Sequence, residues 1–174
     1  MWFMGGDELD CQVVFLPSFI RSSFVYVGIE SVKVSDLYVG LLSMNEVTAI
    51  KYVSIFDTPH FAYACHVLHN QKLSSKFTYL DYLRYKELHS QSHSEAGFNS
   101  LIYSMLKGGY DWQTRPVLVF RNWRRLYPFH RRDVADGFHR LAILAAMGEE
   151  NIKVGLLHHK YSVIERAKRR LLGG

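Results

Sequence analysis

Asp136, Gly137, Phe138, His139 and Arg140 are consecutive residues whose types could do chemistry together. Glycine permits a backbone turn that a side chain would obstruct. A helix that starts at Phe138 leaves its first backbone N–H groups without intrahelical carbonyls, and its positive dipole end faces the turn. An anion, above all a phosphate, suits such a place. His139 and Arg140 add donors and positive charge, and Asp136 could hold a metal ion or take a proton. A plain structural account fits the same residues: Asp136 capping the helix and Arg140 pairing with a surface carboxylate.

The flanking residues predict how this turn is held. Val134 and Ala135 read as the end of a strand. Leu141, Ala142, Ala145 and Ala146 are spaced for one buried helix face in a run rich in helix formers. Gly148 then serves as a helix stop, and Ile152, Lys153 and Val154 resume an extended pattern. The whole stretch from 131 to 154 is therefore strand, glycine turn, helix, glycine stop, strand.

Upstream, Phe24 to Val34 is extended but interrupted near Gly28, which predicts a strand pair or two short strands ended by Ser35-Asp36-Leu37. Residues 46–56 fit a strand or a helix, and β-branched content favours the strand. Asp57-Thr58-Pro59 is a helix start, with Thr58 as cap and Pro59 in the first turn, for a helix ending near Lys72. A second helix is predicted from Thr78 to His89, with Leu80, Leu83, Leu88, Tyr79 and Tyr82 on its apolar side. A third runs from Ala96 to Leu106 and stops at Gly108-Gly109. Arg115 to Phe120 reads as a strand that begins at Pro116, residues 121–131 as a long hairpin loop, and 161–172 as a basic C-terminal helix.

A chain of 174 residues with 48% hydrophobic and 21% charged residues fits one globular domain with a substantial core. No repeat, low-complexity tract or linker divides it. Two cysteines, Cys11 and Cys65, make no disulfide framework and point to a reducing compartment. Asp7, Glu8 and Asp10 stand where a signal peptide would need basic and apolar residues, and no apolar run reaches membrane-span length. A cytoplasmic protein without a membrane partner is expected. The net charge of +5 favours phosphorylated ligands or nucleic acid without choosing between them.

Asp136-Gly137-Phe138-His139-Arg140-Leu141, followed by a small-residue helix, Met147-Gly148 and an apolar strand, resembles the signature of the ParB/sulfiredoxin superfamily. The resemblance is best over 115–154, thinner over 29–60, and leaves 62–110 uncovered. It implies an α/β (α+β) fold, a small mixed sheet with flanking helices, to which the segment at about 58–107 would be a helical insertion. Sulfiredoxins carry Gly-Cys-His-Arg, and Phe138 in the cysteine position cannot be a thiolate nucleophile. DNA-partitioning ParB proteins carry a Gly-Glu-Arg-Arg type loop, of which this chain keeps the glycine and the last arginine. The version it most resembles is the Asp-Gly-His-His-Arg loop of ParB-like small-molecule kinases, including free serine kinases.

That resemblance implies a phosphotransferase acting on a hydroxyl of a small molecule such as an amino acid, sugar or polyol. Nucleotide phosphates (ATP, ADP or CTP) would lie at Gly137, Phe138, His139 and Arg140, with Mg2+ at Asp136. In those kinases an upstream Pro-His-Glu supplies a catalytic glutamate. Here Pro59 and His60 match, but Phe61 stands in the glutamate position. The base is then His60, whose imidazole titrates near neutrality, or Asp136, or activity is lost; His60 equally suits a capping or packing role.

Nucleic acid is the alternative partner. Seven arginines between 115 and 140 face two aspartates, with Trp123 and Tyr127 among them, and Arg166, Lys168, Arg169 and Arg170 follow in the tail. Basic residues interleaved with rings suit phosphates and bases. The pairs His66/His69 and His89/His93 have helical spacing but lack the further ligands a metal site needs. Tyr63, Tyr79, Tyr82 and Tyr85 read as core and cleft wall.

Overall fold

The computed structural model describes residues 18–42, 50–71, 78–87, 94–120 and 132–160. It is an α+β fold built on one six-stranded mixed sheet. The strands are β1 (Phe24–Lys33), β2 (Leu37–Leu42), β3 (Ile50–Ser54), β4 (Val117–Phe120), β5 (Arg132–Asp136) and β6 (Asn151–His159), in the order β1-β6-β4-β5-β2-β3. The pairs β4/β6 and β2/β5 are parallel and the other three antiparallel. A short helix α1 (Ser18–Arg21) precedes the sheet, α2 (Pro59–His69), α3 (Tyr79–Glu87) and α4 (Glu95–Gly108) lie between β3 and β4, and α5 (Phe138–Ala146) lies between β5 and β6.

Side-chain alternation decides the layers. On β4, Val117 and Val119 point into the main core with Val39, Val134, Ile152 and Val154, where α2 to α5 pack. Leu118 faces the opposite side, where it forms a smaller cluster with Ile20 and Leu157. Helix α5 lies between the sheet and the other helices, so all six residues from Leu141 to Ala146 are buried. One apolar face had been expected from the alanine spacing; Ile143 and Leu144 are buried as well because α2 and α4 cover the side away from the sheet. Its C-terminus closes as predicted at Gly148 (φ 84°), with Glu149 N–H donating to the Leu144 carbonyl and Gly148 N–H to that of Ala145.

Three sequence expectations need correction. β1 is one strand of ten residues, because a bulge between Tyr26 and Gly28 absorbs the irregularity without ending the ladder. Ser35-Asp36 does not end the extended region: residues Val34–Asp36 form a single 3-10 turn, and Leu37 opens β2. Leu80 is exposed, whereas Tyr79, Tyr82 and Leu83 carry the buried side of α3.

The start of α2 is as predicted, with the Thr58 hydroxyl accepting from Phe61 N–H at 3.1 Å and Pro59 in the first turn. The helix ends at His69, short of Lys72, where Asn70 takes the left-handed conformation. Antiparallel β4 and β5 fit the predicted hairpin, whose loop at 121–131 lies outside the described residues, as do Leu88 and the basic segment 161–172. Among the described residues, no helix is long and apolar enough to cross a membrane.

Candidate functional site

The predicted turn is present. Gly137 ends β5 with φ +90° and ψ 25°, a conformation that side chains rarely adopt, and α5 begins at Phe138. A Cβ at Gly137 would stand 2.9 Å from Arg140 Nη2 and 3.1 Å from Val117 Cα. Glycine is therefore needed twice, for the turn itself and for the close approach of β4 and the guanidinium.

Arg140 folds back over this turn. Its Nη2 donates to Asp136 Oδ2 and to the Pro116 carbonyl, both at 3.3 Å, while its buried Nε–H meets no acceptor among the described residues. The Arg140 side chain is 21% exposed and that of Asp136 40%. Asp136 thus partners Arg140 rather than capping the helix, and α5 has no side-chain cap among the described residues. A guanidinium beside the positive end of a helix is electrostatically costly, and one half-exposed carboxylate at 3.3 Å offsets it only in part.

His139 turns the other way, into the helical layer. Its Nε2 lies 3.0 Å from the Tyr79 hydroxyl, and its ring meets those of Phe98 and His60 edge-on, with centroids 4.6 and 4.8 Å away. Fold topology therefore joins His60 and His139, which are far apart in sequence. His60 itself is 1% exposed and walled by Tyr79, Tyr82, Phe98 and His139. That burial fits the packing role; contact with a substrate hydroxyl would require α3 to lift away. Phe61, in the position of the expected glutamate, is partly buried and packs edge-on against Phe56 at 5.2 Å.

Burial also sets the charge state of this layer. It pushes the Tyr79 phenol above the ordinary range, helped by the neighbouring Tyr82, Tyr63 and Glu95, and raises Tyr82 to about 12. Both are neutral hydroxyls at physiological pH. Tyr63 is likewise raised, first by burial, and its hydroxyl donates to Asn99 Oδ1 at 3.0 Å.

The remaining candidates take structural positions. His69 Nε2–H donates to the Ala146 carbonyl at 2.7 Å, tying α2 to the end of α5, and His66 is exposed. Arg132 pairs with Glu30 at 2.9 Å. The arginines at 121, 124, 125, 166, 169 and 170, on which the nucleic-acid alternative rests, and His89 and His93 lie outside the described residues. Among the described residues, no three His, Cys, Asp or Glu side chains group to hold a metal ion.

Sequence reasoning missed Tyr79 as the partner of His139 and the Pro116 carbonyl as a partner of Arg140. The first had a weak signal, the Tyr79/Tyr82 spacing on the apolar side of its helix; the second had none. Comparison of the chain with protein-family models, curated proteins and solved structures gave no match.

Proposed function

We propose that this protein binds the phosphates of a nucleotide with magnesium at the turn from Asp136 to Arg140 and transfers a phosphoryl group to a hydroxyl of a small molecule. One observation carries the reading: α5 starts without a side-chain cap, beside a guanidinium whose buried Nε–H meets no acceptor among the described residues. An anion there would take up helix N–H groups and the arginine together. The resemblance of the Asp-Gly-Phe-His-Arg sequence to the kinase loop adds the reaction class.

In this reading Gly137 lets the phosphate approach the backbone, Arg140 supplies charge and donors, and His139, whose ring turns into the helical layer, offers the turn its backbone N–H rather than its imidazole. Asp136 shares itself between Arg140 and magnesium, and takes the acceptor's proton in place of the missing glutamate. His60 supports His139 from within the core. Amino acids, sugars and polyols all offer the required hydroxyl.

Calorimetric titration of ATP, ADP and CTP, each with magnesium, tests the binding step. Arg140→Ala should weaken the complex by about 1.5–3 kcal/mol, the scale of charge-assisted hydrogen bonds. A parent protein that binds none of the three would overturn the proposal.

A further inference from the structure

Tyr79 opens α3 and is 3% exposed, yet its hydroxyl is not spent on the backbone. The contrast is Tyr110, whose hydroxyl donates to the Lys153 carbonyl at 3.0 Å and accepts from Val117 N–H, tying two segments of main chain together. The Tyr79 hydroxyl instead meets Nε2 of His139 in the first turn of α5, at 3.0 Å. Its ring is wedged among Tyr63, Phe98 and His60, at centroid distances of 4.8, 5.1 and 5.4 Å, so the hydroxyl has little freedom to move.

We propose that Tyr79 is the positioning residue of the phosphate turn: its hydroxyl holds the His139 ring at Nε2, so that α3 anchors the first turn of α5, the turn that follows Gly137, to the helical layer. This rests on the phosphate reading of the turn. Packing alone does not explain the hydroxyl, because phenylalanine would fill the same space without a buried polar group to satisfy. A phenol also suits both protonation states of imidazole. It donates to an unprotonated Nε2 and accepts from a protonated one, so the contact persists when a bound anion changes the charge on His139. The helical segment between β3 and β4 thereby acquires a role in the site without touching the phosphate.

The test uses the full chain with 15N-labelled histidine, the His139 imidazole signals being assigned by their loss in His139→Gln. In the parent, His139 should show one fixed tautomer; signals averaged between tautomers would overturn the proposal even if no variant folds. Tyr79→Phe should keep the parent's circular dichroism and cooperative melting while moving the His139 signals toward those of an unconstrained ring. It should also weaken magnesium-ATP binding about fivefold to tenfold, the loss of one hydrogen bond. Tyr63→Phe removes another hydroxyl from the same cluster and should leave the His139 signals in place. Unmoved His139 signals in folded Tyr79→Phe, or moved signals with unchanged affinity, overturn the positioning role. A parent that binds no nucleotide, with signals still moved by Tyr79→Phe, overturns the phosphate reading and upholds the Tyr79–His139 contact.

Discussion

Two helix starts in this molecule face each other through a pair of histidines, and they are built on opposite principles. At α2 the Thr58 hydroxyl accepts from Phe61 N–H and donates to the Ile55 carbonyl at 2.7 Å, Pro59 has no N–H to satisfy, and His60 is sealed in the core. At α5 the capping position is a glycine with no side chain, His139 is only partly buried, and Arg140 lies over the turn with an Nε–H that meets no acceptor among the described residues. The first start has a side-chain cap; the second has none, and the Arg140 Nε–H meets no acceptor among the described residues. On that difference rests the proposal of chemistry at α5 and architecture at α2, although the two histidine rings touch.

The largest effect should separate the two histidines by stability. His60→Ala empties a fully buried site among four rings and should lower the unfolding free energy by about 3–4 kcal/mol, in the range of large core truncations. His139→Ala should cost clearly less stability and more nucleotide affinity, because its ring is partly exposed. Urea denaturation of both variants, with calorimetry on whatever folds, compares them. A stable His60→Ala protein that binds nucleotide but no longer transfers phosphate would return His60 to catalysis and dissolve the contrast.

Alkali should act next, through the phenols that line the closed side. Burial holds Tyr82 near 12 and Tyr79 above the ordinary range, against 10.0 for both when unfolded. Below pH 10 folded and unfolded chains both keep these protons and the contribution is whole. As pH rises past that value the unfolded chain releases them first, so folding stability falls. With one pKa unit worth about 1.4 kcal/mol, the two phenols together should remove roughly 2–3 kcal/mol between pH 10 and 11. Unfolding curves taken across that range, followed alongside phenolate absorbance, check it; a stability that is flat through pH 11 would mean that the ring cluster is open to water.

How much of this was legible in the sequence follows from the range of each interaction. The turn at Gly137, the stop at Gly148 and the Thr58-Pro59 start were readable because each depends on a few adjacent residues with one conformational meaning. The continuity of β1 through Gly28 was not, because whether an irregularity ends a strand or becomes a bulge depends on β6, a remote partner. β2 was hidden by the polar Ser35-Asp36 pair, which looks like an end when the neighbouring β5 is not in view. The candidate residues Asp136, Gly137, His139 and Arg140 were visible as a local run. Their partners were not: Tyr79, Phe98 and Pro116 reach the turn only through the packing of α3, α4 and β4. His60 was visible as a residue type, but its burial is a property of the helical layer.

The smallest expected effect sharpens the comparison most. Thr58→Ala removes a cap that is 1% exposed and leaves Phe61 N–H without its side-chain partner, a loss of about 1–2 kcal/mol. It converts the start of α2 into an uncapped one, formally like that of α5. If a missing cap were all that an anion site requires, inorganic phosphate should then restore part of the loss. It should not, because Pro59 and His60 are buried there and, among the described residues, no guanidinium lies over the turn. In the parent, by contrast, phosphate that occupies the α5 start should raise the melting temperature in proportion to its occupancy, as any ligand of the native state does. The measurement is melting temperature against phosphate concentration for parent, Thr58→Ala and Arg140→Ala, with sodium chloride at matched ionic strength as reference. Parent and Thr58→Ala should rise in parallel, offset by the lost cap, while Arg140→Ala should stay nearly flat. A Thr58→Ala protein that gains more from phosphate than the parent would show that the α2 start is as open to anions as that of α5.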